Sequence, residues 1–418
     1  MSDAKQQRPK GTLDFLPPDS ERRAAVAEVF GTLARRRGFR EIVTPTFEHT
    51  EVFVKSTGDT SDIVTKEMYT FSDRADRSLT LRPEGTPGIV RAVLENRYRV
   101  PCRLYSVGSY FRYGRPQKGR HREFGQLSVE ALGEAGGWTD VEIITLGEEF
   151  FRELGIVDCR IELNSIGCRE CRPQYREKLV EFLTGRREEL CDDCRERLER
   201  NPLRVFDCKN PGCHAAVEAA PVPREHLCPV CAAHFDDVRR ALDRGGVAFT
   251  LSDRLVRGLD YYNRTVFEYV SGRLGAQDSL GGGGRYDYLV EQFGGPATPA
   301  AGFALGFERT MLAMPAFASG GRRSLAFVVA MSADEFDAAV GVLDKLRSQG
   351  VAAQMEFDAK NARRQFKSAD AAEAACCVIV GPDEMKRGGF SVKNLVTGEQ
   401  SLVPAHQIVD AVRAQFCH

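Results

Sequence analysis

Five short segments of this chain gather the residue types that bind phosphate and amino-acid groups. Phe111 to Gln126 (FRYGRPQKGRHREFGQ) places Arg112, Arg115, Lys118, Arg120 and Arg122 on and around a loop predicted to join two strands. A guanidinium fork meets phosphate oxygens through two parallel hydrogen bonds, and flanking strands keep such forks in place. Thr80 to Thr86 (TLRPEGT) sets the Glu84 carboxylate among hydroxyls at a strand-to-turn junction, a fit for a substrate ammonium group. Leu255 to Glu268 (LVRGLDYYNRTVFE) brings Arg257, Asp260, Tyr261 and Tyr262 close together. Successive tyrosines on a strand face opposite ways, so one is expected in the core and the other in a pocket. The glycine cluster Gly281 to Gly284, running into GGRYD, marks backbone that passes close to another group. In AGFALGFERTML, small residues lead into a helix predicted to begin near Phe307, which would present Arg309 to a nucleotide. The chain has no Walker A loop, dinucleotide fingerprint or serine-hydrolase elbow.

Cysteine supplies a second kind of chemistry. Three of the 13 cysteines begin Cys-x-x-Cys pairs, Cys168/Cys171, Cys191/Cys194 and Cys228/Cys231, and Cys208/Cys213 adds a wider pair. Two such pairs within about forty residues read as a structural zinc site. Cys191, Cys194, Cys228 and Cys231 are the best-matched set, with Cys168/Cys171 as an alternative, and reduced thiols or a redox pair are the competing readings. Cys376 and Cys377 sit in an apolar run and are expected to be small core residues.

These segments need a scaffold. Asp19-Ser20 is a plausible helix cap, and the helix is expected to run to about Arg37 and stop at Gly38. FREIVTPTFE alternates as a strand, with Pro45 favouring an edge or an interface. Short strands through MYTFSD, SLTLRPEG, RLYSVGSYFRYG and FGQLSVEALG predict a largely antiparallel sheet. Helices over Pro87 to Asn96 and Asp140 to Leu154 would cover it. Arginine and cysteine become dense between about Ser165 and Arg244, where helical periodicity dominates. Beyond the Gly/Arg linker at Ser319 to Arg323, strands at LAFVVAM, VAAQMEF and CCVIVG alternate with helices, one with Phe336, Val340, Leu343 and Leu346 on its face. A hairpin at Val396 to Gln400 and a terminal helix follow. The expected fold is α+β in four parts: a first catalytic part (1–164), a helical cysteine-rich insertion (165–245), a second catalytic part (246–320) and an α/β domain (324–418).

With 58 basic against 59 acidic residues, net charge is −1, so any RNA contact must come from local basic patches. The polar opening segment has no secretory h-region, and no apolar run is long enough to span a bilayer. A reducing cytoplasm is therefore the expected location, with neither membrane nor DNA as partner.

In their order and spacing these segments resemble the class II aminoacyl-tRNA synthetases, and within them the histidyl-tRNA synthetase family. GFREIVTPTFE resembles motif 1, the dimer-interface segment; Phe111 to Gln126 resembles motif 2; ALGFER with Arg309 resembles motif 3. LVRGLDYYNRTVFE and GGRYD resemble the two peptides that set the histidyl family apart, and the likeness runs from about Gly11 to the C-terminus. It implies a homodimeric ligase that activates L-histidine with ATP and Mg²⁺, releases pyrophosphate and charges tRNA(His). It also implies a class II antiparallel sheet and a C-terminal anticodon-binding domain. Arg112, Arg257 and Arg309 would be catalytic, with Arg112, Arg120 and Arg309 on ATP. Histidine would be held by Glu84, Thr86, Gln126, Glu130, Arg257, Tyr261, Tyr262 and Tyr286, with Glu130 and Tyr262 addressing the imidazole nitrogens. Arg115, Gln117 and Lys118 would grip the tRNA acceptor end. Two positions depart from the family pattern: Gly114, where motif 2 usually has glutamate, and Gly125, often histidine. The competing functions are a catalytically silent paralogue that regulates ATP phosphoribosyltransferase in histidine biosynthesis and a zinc-containing RNA-binding module. The first typically lacks the C-terminal domain and an intact LVRGLDYY, and this chain has both.

Overall fold

The computed structural model describes residues 7–58, 61, 63–208, 210–275, 278–315, 323–358 and 361–416. They fall into two compact units, Met1–Pro315 and Ala316–His418. All of the predicted linker except Arg323 lies outside the described residues.

In the first unit the strands are β1 (Arg40–Glu41), β2 (Phe47–His49), β3 (Tyr69–Ser72), β4 (Ser78–Leu81), β5 (Cys102–Phe111) and β6 (Glu123–Leu132). They continue as β7 (Arg160–Ser165), β8 (Phe249–Leu251), β9 (Asn263–Val270), β10 (Ser279–Arg285) and β11 (Ala300–Gly306). Eight of them, among the described residues, form one sheet in the order β1-β5-β6-β11-β10-β9-β7-β8. It is antiparallel except at its two edges, where β1 runs parallel to β5 and β8 to β7. The remaining three make a small sheet, β2-β4-β3. FREIVTPTFE is thus not one strand. Its first residues pair with β5 and its last with β4, and the break falls around Pro45, which has no N–H to give to a ladder.

Period-two alternation divides the large sheet into two faces with different tasks. Leu127, Val129 and Ala131 of β6 point to the same side as Phe267, Tyr269, Phe303 and Leu305. There they pack against Phe30 of the helix Asp19–Arg36 and Phe150 of the helix Gly137–Glu153. The first of these helices starts at Asp19 with no side-chain cap, unlike the expected Asp19-Ser20 start, and ends as predicted against Gly38, whose φ is +78°. The residues of β6 in between, Gln126, Ser128 and Glu130, face the other way, beside a second apolar cluster that includes Tyr261, Tyr262 and Tyr286.

The second unit has β12 (Arg323–Ala330), β13 (Ala353–Gln354), β14 (Ala374–Val380), β15 (Gly389–Asn394) and β16 (Gln400–Pro404), in the order β13-β12-β14-β15-β16. β13 and β14 run parallel to β12, and a hairpin of β15 and β16 extends the sheet. Both faces are buried: Ala326, Val328 and Cys376 lie in one core and Phe327, Val329 and Cys377 in the other. That explains the unbroken apolar runs of these parallel strands.

Candidate active site

A cavity of about 360 Å³ opens on the polar face of the large sheet. Its floor is kept clear by small residues. Gly302, Ala304 and Gly306 of β11 stand opposite Glu130, Ser128 and Gln126 of β6 in register. A methyl group at Gly302 would come within 1.9 Å of Glu130 Oε2, so no larger residue fits while Glu130 keeps its place.

At one end of the cavity, buried carboxylates are met by hydroxyls. Glu84 is delivered by the turn after β4, which lies across the end of β5: Arg82 Nε donates to Ser109 O at 2.8 Å and its Nη1 to Thr44 O at 2.9 Å. Tyr261 donates to Glu84 Oε2 at 2.7 Å. One layer deeper, Thr86 donates to Glu130 Oε1 at 2.6 Å and Tyr286 donates to Glu130 Oε2. Burial, more than the nearby Glu84 charge, pushes the Glu130 carboxyl up to about 8 despite its two hydroxyl donors. Burial also raises Tyr261, Tyr262 and Tyr286 above the ordinary phenol value. Tyr261 and Tyr262 were expected on opposite faces, but both line the cavity, with ring centroids 4.7 Å apart. The reason is that they precede β9 in a turn, where strand alternation does not apply.

Arg112, Arg120, Arg257 and Arg309 line the rest. Arg112 Nε donates to Pro83 O at 2.9 Å, and burial draws its pKa below the ordinary value. Arg257 Nη1 pairs with Glu268 Oε1 at 2.6 Å, and Ser279 donates to the same oxygen at 2.6 Å. Arg309 Nη1 in turn donates to Ser279 O at 2.6 Å, so one carboxylate ties two of the arginines into a single network. Glu268 and Glu67 were not anticipated as site residues. The first closes the LVRGLDYYNRTVFE segment; the second comes from a stretch with no motif. Glu67 accepts from Arg120 Nη2 at 3.0 Å, and its Oε1 would lie 3.3 Å from a Cβ at Gly114. A carboxylate therefore stands next to the position where motif 2 lacks one. Gly125 also has a local cause: a Cβ there would meet Phe307 Cβ at 2.7 Å and Arg23 Nη2 at 2.8 Å, while its N–H donates to Glu308 at 3.0 Å.

Of the expected histidine set, Glu84, Thr86, Gln126, Arg257, Tyr261 and Tyr262 line this cavity. Glu130 and Tyr286 stand behind it, bonded to each other. Arg115, Gln117 and Lys118 do not line it; they sit exposed on the loop between β5 and β6, which closes through backbone bonds between Gln117 and Arg120.

The cysteines differ from the expected pairing. Cys191/Cys194 and Cys228/Cys231 do not share a site. Cys228 and Cys231 join Cys168 and Cys171, and Cys191 and Cys194 join Cys208 and Cys213. The physical reason is that residues 175–220 close around their own core of Leu179, Leu183, Leu198 and Val205, which gathers the second set, while the helix Pro229–Arg244 returns to the end of β7.

The polar face of the sheet thus carries four arginines at one end of the cavity and hydroxyl-bonded carboxylates at the other. The sequence model described as Histidyl-tRNA synthetase matches residues 11–310, and one described as Anticodon binding domain matches residues 326–415. The chain is 46% identical over 414 residues to the histidine–tRNA ligase of Moorella thermoacetica, covering 97% of each, and 45% identical over 413 residues to that of Desulforudis audaxviator, covering 97% of this chain and 98% of that one. The apo histidyl-tRNA synthetase of S. aureus superposes with a TM-score of 0.80 at 31% identity, over 98% of this chain and all of that one. The chain belongs to the histidyl-tRNA synthetase family.

Proposed function

We propose that this chain is a histidine–tRNA ligase that forms histidyl-adenylate from L-histidine and ATP, releases pyrophosphate and transfers the histidyl group to the 3′ end of tRNA(His). The observation that carries this reading is the confluence, in one cavity, of four arginines with the Glu84–Tyr261 pair and, behind it, the Thr86–Glu130–Tyr286 chain. A histidine carboxylate oxygen attacks the α-phosphorus of ATP and the pyrophosphate oxygen leaves. Arg112 and Arg257 flank the negative charge that grows on phosphorus, and Arg309 with Arg120 meets the departing phosphates; such fixed cations need no reorganisation during the step. ATP enters as its Mg²⁺ complex, whose cation neutralises phosphate charge. The terminal hydroxyl of the tRNA then attacks the adenylate carbonyl and AMP leaves.

Glu84, Thr86 and Gln126 take the α-ammonium group. Gln126 Oε1 and Ser128 Oγ have no hydrogen-bond partner within the protein although buried at the cavity wall, the condition of groups that pair with a ligand. Neutral imidazole has one donor and one acceptor, and a carboxyl with a phenol, Glu130 with Tyr262, matches both. Arg115, Gln117 and Lys118 hold the acceptor end of the tRNA, and residues 324–418 the anticodon. The cysteine-rich part, 165–245, divides the catalytic parts 1–164 and 246–320 and carries structural zinc. The chain works in the cytoplasm as a homodimer. Val43 and Phe47, 80% and 53% exposed on either side of Pro45, suit the dimer contact, and no described helix is long and apolar enough to cross a membrane. The regulatory reading is disfavoured by the intact 257–262 peptide and the anticodon-binding domain.

The decisive experiment is histidine-dependent ATP–pyrophosphate exchange by the purified chain and by Arg257→Ala. Exchange that requires histidine and collapses in the variant is expected. Its absence from the unmutated chain overturns the reading.

A further inference from the structure

The two cysteine sets have the geometry of a particular ligand field. A tetrahedral Zn²⁺ with Zn–S bonds of about 2.3 Å holds its sulfurs about 3.8 Å apart. Cys168 and Cys171 sulfurs lie 3.5 Å apart, Cys168 and Cys228 3.9 Å, and Cys191 and Cys208 3.8 Å; within each set all four sulfurs lie within 4.8 Å. Backbone N–H groups converge on the same sulfurs. Cys228 N donates to Cys171 Sγ at 3.3 Å, Glu170 N to Cys168 Sγ at 3.4 Å, Asn210 N to Cys208 Sγ at 3.4 Å and Cys191 N to Cys213 Sγ at 3.2 Å. Such donors favour thiolates and orient them toward a metal.

What these sets brace is the segment on which histidine recognition rests. Arg172, the residue after Cys171, donates through Nη2 to the carbonyl of Tyr262. The loop closed by the second set carries Asn201 and Arg204. Asn201 Nδ2 donates to Asp260 Oδ1 at 2.9 Å, and Arg204 Nη2 donates to Gly258 O at 2.9 Å. Three residues beyond Cys231, His234 Nε2 meets Asp140 Oδ2 at 2.7 Å, and the other oxygen of Asp140 accepts from the fully buried Arg285 at 2.6 Å, next to Tyr286. Residues 257–262 lie in a turn whose polar backbone groups are thus held by the cysteine-rich segment at both ends. Helices of 6 and 9 residues in that segment are too short to stand alone.

We infer that the chain carries two tetrathiolate zinc sites, Cys168/Cys171/Cys228/Cys231 and Cys191/Cys194/Cys208/Cys213, and that through Arg172, Asn201 and Arg204 they hold residues 257–262 in the histidine-binding conformation. The second half rests on the ligase reading above; the first does not. Arg172, Asn201 and Arg204 are positioning residues, since they touch the backbone and Asp260 rather than substrate.

Zinc in the full chain, purified without chelator, is measured by elemental analysis, and the zinc-free chain is titrated with Co²⁺. Two zinc ions per chain and the ligand-field absorption of two tetrahedral tetrathiolate Co²⁺ sites are expected, and Cys171→Ser and Cys208→Ser should each remove one. Substoichiometric zinc with no Co²⁺ uptake, or thiol titration showing disulfides within the sets, overturns the metal assignment. Arg172→Ala and the Asn201→Ala/Arg204→Ala double variant keep every ligand. Each should retain zinc and raise KM for histidine about tenfold, leave KM for ATP unchanged, and in the case of Arg172→Lys recover part of the loss. An unchanged KM for histidine in both overturns the positioning role, whatever the cysteine variants do. If the unmutated chain shows no exchange, the ligase reading fails, and calorimetric titration of the same variants with histidine then decides the positioning role separately.

Discussion

Gly302 and Glu130 face each other across β11 and β6, and a single methyl group on the glycine would fall 1.9 Å from the carboxylate. The proposed histidine pocket therefore depends on a missing side chain as much as on those present. Gly302→Ala should push Glu130 off Thr86 and Tyr286. Overpacking of a close-packed site costs about 1–3 kcal/mol, so a lowered melting temperature is expected together with a raised KM for histidine. A variant with native stability and native KM would show that the sheet yields at this point.

Glu268 serves Arg257 and, through Ser279, Arg309. Removing the arginine itself, in Arg257→Ala, should lower kcat for exchange about 10²–10³-fold, the usual cost of one preorganised electrostatic group. Glu268→Ala should reproduce a smaller part of that loss, with KM for histidine less affected than kcat. Equal effects on both constants would contradict the network.

Tyr261→Phe deletes the donor to Glu84 and leaves a buried carboxylate oxygen short of a partner. About 1–3 kcal/mol is at stake, and it should appear as weaker histidine binding in calorimetric titration, with ATP binding unaltered.

Glu130 gives a pH signature. Its carboxyl is held near 8 in the folded chain, mainly by burial, against about 4.3 when unfolded. The folded state binds this proton more tightly, so its stabilising contribution is fully present below about pH 4.3 and is lost as pH rises through about 8. The melting temperature of the unmutated chain should fall more steeply between about pH 5 and pH 8 than that of Glu130→Gln. Parallel profiles would place the titration elsewhere.

On the proposed ligase reading, the exposed loop between β5 and β6 serves the transfer to tRNA and not the activation of histidine. Arg115→Ala with Lys118→Ala should leave histidine-dependent exchange intact and weaken aminoacylation. The salt slope of tRNA binding should be reduced by roughly two, since each lost phosphate contact removes about one released counterion. A loss of exchange in the same double variant would instead place these residues at the nucleotide.

The segments that line the cavity are legible in the sequence because their patterns are local. Arg112 stands just past the end of one ten-residue strand of a hairpin and Arg309 follows a run of small residues, both within segments visible as such, whereas Glu130, alternating with Val129 and Ala131 on the other strand, was implied only by the resemblance. Where the local period stops, sequence no longer determines placement. Tyr261 and Tyr262 precede their strand, so strand alternation does not separate them, and both line the cavity, as the family resemblance implies. FREIVTPTFE alternates as a single strand would, yet Pro45 divides it between two sheets. Glu67, from a segment with no recognisable pattern, reached Arg120 only through the fold.

The sequence by itself carried the resemblance that points to the family and to the arginines and carboxylates of the cavity, and its spacing showed cysteines in metal-binding pairs, since each of these segments is written within a few tens of residues. Tertiary structure alone decided which cysteine pairs meet, because Cys-x-x-Cys units are interchangeable in sequence and only the packing around Leu179 and Leu198 sorts them. It also decided that Gly302 must be small, that Glu268 joins two arginines, and that Arg172 and Arg204 reach the 257–262 turn. Each of these depends on groups brought together across long stretches of chain or across a sheet, and contact at that range is set by the packing of the whole core.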